Sequence, residues 1–120
     1  MASLHMSGPY KFDYATINRI VEANRIGNYA LGYMEGDTFI VEYVGRSNTG
    51  VAERLLDHFL KREDYQSFKY SYASSIKAAY EKECQNYHDF GGLQGKLKNK
   101  KHPDRPDGCD YKCPCCYIFG

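Results

Sequence analysis

No run of apolar residues in this chain approaches the roughly 20 that a membrane helix requires, and no secretory h-region is present. A membrane-spanning helix is thereby excluded at the level of sequence, and the chain is expected to be soluble and intracellular, in the cytoplasm or nucleoid. Neither sign of charge is in surplus, since 16 Lys and Arg against 15 Asp and Glu leave a formal +1. That excludes a uniformly basic surface that coats nucleic acid. Internal repeats and low-complexity segments are absent, so a solenoid is excluded. At 120 residues there is no room for two ordinary domains. The 42% hydrophobic and 26% charged content excludes wholesale disorder.

What is present is unevenly distributed. Residues 92–120 hold six Lys and Arg against three Asp, a local +3, which leaves −2 for the rest. Four of the five cysteines fall between Cys109 and Cys116. In an intracellular chain such a cluster points to metal rather than to disulfides. Met1 to Met6, with a second methionine directly after His5, read as a remnant preceding the natural sequence. Residues 7–120 read as one domain, with an irregular extension over about 91–120.

Asp13 can cap a helix over roughly 13–25 that carries Ile17, Ile20 and Val21 on one stripe, with Gly27 as its stop. Asn28 to Met34 and Thr38 to Val44 are rich in β-formers, and Glu35-Gly36-Asp37 between them suits a hairpin. Alternation puts Tyr29, Leu31 and Tyr33 on one face of the first strand, and Phe39, Val41 and Tyr43 on one face of the second. A second helix is expected over about 50–62, a third strand around Phe68, Tyr70 and Tyr72, and a third helix from Ser74-Ser75 to about His88. The fold class is therefore α/β: a small, mainly antiparallel three-stranded sheet flanked by three helices.

Winding the second helix at about 100° per residue from Val51 puts Arg54 near 300° and His58 near 340°, together at one edge of the apolar stripe. The same construction on the third helix, from Ile76, drops Glu83 near 340°, among Ala79, Tyr80 and Tyr87. Glu81 points away. A carboxylate directed at a core must be paired with a neighbouring arginine or hold a cation, and the second reading is preferred here.

Gly27-Asn28-Tyr29 entering one strand, Tyr43-Val44-Gly45 ending the next, then Arg54 and His58, a later helix with Glu83, and Asn99 beyond it resemble the GIY-YIG nuclease family in order and approximate spacing. Asn28 and Val44 stand where the family's motif has isoleucines, and Tyr43 lies 14 positions after Tyr29, a somewhat long hairpin for that family. The resemblance implies metal-dependent endonucleolytic hydrolysis of nucleic acid, DNA foremost. It implies Tyr29 as general base, Tyr43 and His58 as orienting or relaying groups and Arg54 as the phosphate clamp. Glu83 would be the ligand of one Mg²⁺ or Mn²⁺, and Asn99 would steady the site. Arg46 and the lysines Lys96, Lys98, Lys100 and Lys101 are candidate contacts to the nucleic-acid backbone. No separate recognition domain fits in this length, so tight sequence specificity would need a homodimer or a partner protein. The alternative on the same fold is a catalytically inactive nucleic-acid-binding or zinc-stapled interaction module.

Cys84 and His88 stand i, i+4 on the third helix, and Cys113 and Cys116 form a C-x₂-C. Three thiolates and an imidazole make a closed tetrahedral zinc site, structural because no position is left open. His102, Cys109 and Cys115 are competing ligands. Such a staple would order the extension against the third helix.

Overall fold

The computed structural model describes residues 6–61 and 65–89. Along the chain run β1 (Ser7–Lys11), α1 (Tyr14–Ile20), β2 (Gly27–Glu35), β3 (Thr38–Ser47), α2 (Val51–Leu60), β4 (Ser67–Tyr72) and α3 (Ile76–Asp89). The strands form one antiparallel sheet in the order β1-β4-β2-β3. It has four strands where the sequence predicts three. The additional one, β1, is a largely exposed edge strand interrupted by Gly8-Pro9. It shows none of the apolar alternation that betrays a half-buried strand. Phe12, directly after it, is buried and fastens that edge to the core.

The predicted local signals act where expected. Asp13 accepts a hydrogen bond from the Thr16 amide at 2.7 Å, satisfying an orphan donor of α1. The Ser75 hydroxyl accepts from the Ala78 amide at 3.0 Å in the first turn of α3. Gly36, at φ 62, is the first of two residues linking Glu35 to Thr38, the place a type II′ hairpin turn reserves for glycine. Helix α1 is shorter than predicted. Val21 is already extended, at φ −98 and ψ 122. The Glu22 and Asn24 amides that a longer helix would use internally are taken by the Tyr72 hydroxyl and the Glu53 carboxylate.

Two cores lie on opposite faces of the sheet. Phe12, Ile17, Val21, Tyr29, Leu31, Val51, Ala52, Leu55 and Phe68 join α1 and α2 to one face. Ala30, Val41, Val44 and Tyr87 join α3 to the other. A fully buried Leu55 or Phe68 contributes about 1.5–3 kcal/mol through the apolar surface it removes from water.

The expectation that Phe39, Val41 and Tyr43 share a face is corrected. Leu31 pairs with Tyr43 but Gly32 pairs with Val41, so Glu42 is an extra residue in β3, a bulge. Phe39 and Val41 therefore face α3, whereas Tyr43 turns to the α1 and α2 side beside Tyr29. The long spacing between the two tyrosines is absorbed at this point. Among the described residues no helix is long and apolar enough to cross a membrane.

Candidate active site

Tyr29 is the third residue of β2, a strand paired on both edges, and lies opposite Gly45 on one side and Tyr70 on the other. Its ring lies across Gly45, and a β-carbon at that position would sit on the ring's Cζ and hydroxyl, with Cε1 only 2.9 Å away. Glycine is therefore required there by close approach rather than by backbone angle. The side chain is 1% exposed.

Helix α2 brings His58 to the phenol. Tyr29 Oη and His58 Nε2 are 2.7 Å apart in a buried hydrogen bond. Tyr43 packs against both rings, parallel to Tyr29 at 6.3 Å and edge-on to His58 at 5.0 Å. One turn before His58, the Arg54 guanidinium lies beside the same phenol, and its charge and hydrogen bonding favour the ionised form. Burial, helped by Tyr43, outweighs that pull and holds the Tyr29 pKa well above the ordinary phenol range. Arg54 is held more firmly protonated, chiefly by Tyr29. Arg54 also stands 3.9 Å from Asp57, a half-exposed pair that contributes little.

Four of the expected residues, Tyr29, Tyr43, Arg54 and His58, thus meet on one face of the sheet. Glu83 approaches from the other face, on α3, at the end of the hairpin where Gly27 and Ser47 pair. Its negative charge still reaches Tyr29, where it opposes ionisation of the phenol. Its carboxylate is clasped by Arg46 in an ion pair whose two side chains are each 11% exposed. Arg46, expected as a backbone contact to nucleic acid, also donates from Nε to Asn48 Oδ1 at 3.0 Å and lies over the Tyr80 ring. The paired-carboxylate reading of Glu83 is therefore met in this structure.

The donor chemistry still fits a hard divalent ion. Glu83 is a buried carboxylate that already demands a positive partner. Mg²⁺ is usually held by one or two carboxylates together with waters and substrate phosphates. No group of three or more His, Cys, Asp or Glu is clustered for a metal among the described residues. Of the expected zinc ligands, Cys84 is fully buried and His88 is half-buried against the Tyr87 ring. The positions Cys113 and Cys116, the competitors His102, Cys109 and Cys115, and also Asn99, Lys96, Lys98, Lys100 and Lys101, lie outside the described residues.

Two residues went unremarked in the sequence as contributors. Asn28, where the resembled motif has isoleucine, is wholly buried and donates from Nδ2 to the Ala79 carbonyl at 2.9 Å, tying β2 to α3. Lys82 donates to the Ser71 hydroxyl at 2.8 Å, and partial burial lowers its pKa. Neither carries a local signal, because each partner lies on a distant segment.

Comparison with protein-family models, with curated proteins and with solved structures gave no match.

Proposed function

We propose that this protein is a divalent-metal-dependent endonuclease of the GIY-YIG type, hydrolysing phosphodiester bonds of nucleic acid, DNA foremost, inside the cell. The observation that carries the reading is the buried Tyr29 to His58 hydrogen bond, with Arg54 beside the same phenol. A tyrosine paired to an imidazole and flanked by a half-exposed arginine is a base, a proton acceptor and an anion clamp in one place.

Burial makes a free Tyr29 phenolate costly. Tyr29 therefore takes a proton from the attacking water as it passes its own to His58 Nε2, remaining neutral throughout. A neutral imidazole accepts a proton at one ring nitrogen, which suits the role of final acceptor. Tyr43 packs against both rings and restrains their planes. Arg54 holds the scissile phosphate and neutralises the charge that builds in the transition state. Glu83 would hold Mg²⁺ or Mn²⁺, which would supply Lewis acidity when bound. By the resemblance, Asn99 would support the site, and Lys96, Lys98, Lys100 and Lys101 would contact the nucleic-acid backbone. Cys84 and His88, together with Cys113 and Cys116, would hold a structural zinc.

A second reading, a nucleic-acid-binding module without catalysis, is favoured by one observation, the engagement of Glu83 by Arg46. Incubation with supercoiled, linear and branched DNA in Mg²⁺ separates the two. Nicking or cleavage that is lost in Tyr29→Phe supports the nuclease. Binding without cleavage in Mg²⁺ and in Mn²⁺ supports the module.

A further inference from the structure

The contact between Arg46 and Glu83 joins the penultimate residue of β3 to the middle of α3, and it stands at the one described carboxylate proposed to hold a metal. Both side chains are nearly removed from water. In such surroundings a carboxylate requires one cation, and a second one brought beside the first would be repelled by it. Arginine and divalent metal are therefore alternatives at Glu83.

Whether Arg46 can yield depends on what else holds it. Its Nε donates to Asn48 Oδ1 at 3.0 Å, and its guanidinium carbon stands 5.1 Å above the Tyr80 ring centre. Neither contact uses Nη1, the nitrogen that meets Glu83. Release of the carboxylate thus leaves the arginine its acceptor at Asn48 and the Tyr80 face, which offset part of the cost of losing its counter-ion.

Resting on the metal assignment above, we infer that Arg46 is an exchangeable counter-ion of Glu83. It neutralises the carboxylate when no divalent ion is bound; when one arrives, Nη1 lets go while the contacts already made to Asn48 and Tyr80 are kept. It is a positioning residue for the metal rather than a catalytic one. Because the metal sees only the fraction of molecules in which Glu83 is released, the apparent affinity is reduced by that fraction.

The test is Mn²⁺ titration of the full chain, followed by electron paramagnetic resonance and calorimetry, with thermal unfolding at zero and saturating Mn²⁺. Arg46→Ala is expected to bind Mn²⁺ roughly tenfold more tightly than wild type, and its thermal midpoint is expected to gain more from Mn²⁺. Adding Glu83→Gln to it should remove both effects. If Arg46→Ala does not fold, Arg46→Gln keeps a neutral donor towards Glu83 and should show the same direction. Unchanged or weaker Mn²⁺ affinity in the Arg46 variants, with binding still lost in Glu83→Gln, overturns the exchange and leaves the metal assignment standing. Mn²⁺ binding that is indifferent to Glu83→Gln overturns both.

Discussion

Gly45→Ala places one methyl group in the least forgiving part of the molecule. The new carbon would overlap Tyr29 at Cζ and Oη. Tyr29 has nowhere to retreat, since its backbone is paired on both edges and its ring is wedged between Tyr43 at 6.3 Å and His58 at 5.4 Å. Overpacking of this kind costs about 1–3 kcal/mol. Displacing the phenol from His58 adds about 1 kcal/mol for the lost buried hydrogen bond. Together these lower the thermal midpoint by on the order of 10 °C in a domain of this size. Cleavage of supercoiled DNA, measured well below the lowered midpoint, should fall by about 100-fold or more, the scale of a lost general base. Every reactive side chain is still present in this variant, so the loss reports geometry alone. Mn²⁺ affinity, read in parallel, should not change, because the substituted atom faces away from α3. A midpoint within about 2 °C of wild type together with full cleavage would refute the packing of Tyr29 over Gly45.

Tyr29→Phe should likewise cut cleavage by about 100-fold or more while preserving the ring packing. It should also change the alkaline limb of stability. Tyr29 is held protonated in the fold but ionises near pH ~10 when unfolded, so its contribution is full below that pH and is lost above it, at up to about 1.4 kcal/mol per pH unit. Urea midpoints above about pH 10 should therefore fall less steeply in Tyr29→Phe, and equal slopes would deny the buried phenol. Arg54→Ala should leave Mn²⁺ affinity within about twofold and lower turnover by roughly 100-fold, whereas an unchanged rate would remove Arg54 from the site. Glu83→Gln should abolish metal-dependent cleavage, while Glu81→Gln should not; the amide is preferred to alanine because it keeps a hydrogen-bond acceptor facing Arg46 Nη1. Elemental analysis of reduced, untreated protein should find about one zinc per chain, and its absence would refute the staple.

The elements that could be read from the sequence are those whose causes are local. Asp13, Gly36 and Ser75 each act on a residue or amide within a few positions, and they mark a helix start, a hairpin turn and a second helix start as expected. The i, i+4 placement of Arg54 and His58 likewise follows from helix geometry alone, and both reach Tyr29. What escaped depends on partners distant in sequence. Strand β1 exists because β4, some sixty positions later, offers it an edge. The end of α1 is decided by Tyr72 and Glu53. The bulge at Glu42 interrupts a stretch whose apolar alternation looks unbroken, because Val41 is drawn beneath α3 while Tyr43 is drawn to Tyr29. For Glu83 the helical wheel identified the need for a positive partner, but only the meeting of β3 and α3 supplies Arg46 as that partner.

The bulge divides the hairpin into two parts of different register. Beyond it, Gly32 to Glu35 and Thr38 to Val41 pair as a ribbon that ends in an exposed turn at Gly36. Before it, Tyr29, Tyr43 and Gly45 keep their own register. Residues added symmetrically at the tip lengthen the ribbon and leave that register alone, whereas removal of Glu42 inverts which side chains face α2. The turn is therefore the place to graft a fluorophore, an affinity handle or a foreign DNA-reading module, and natural variation in hairpin length can accumulate there without disturbing the two tyrosines.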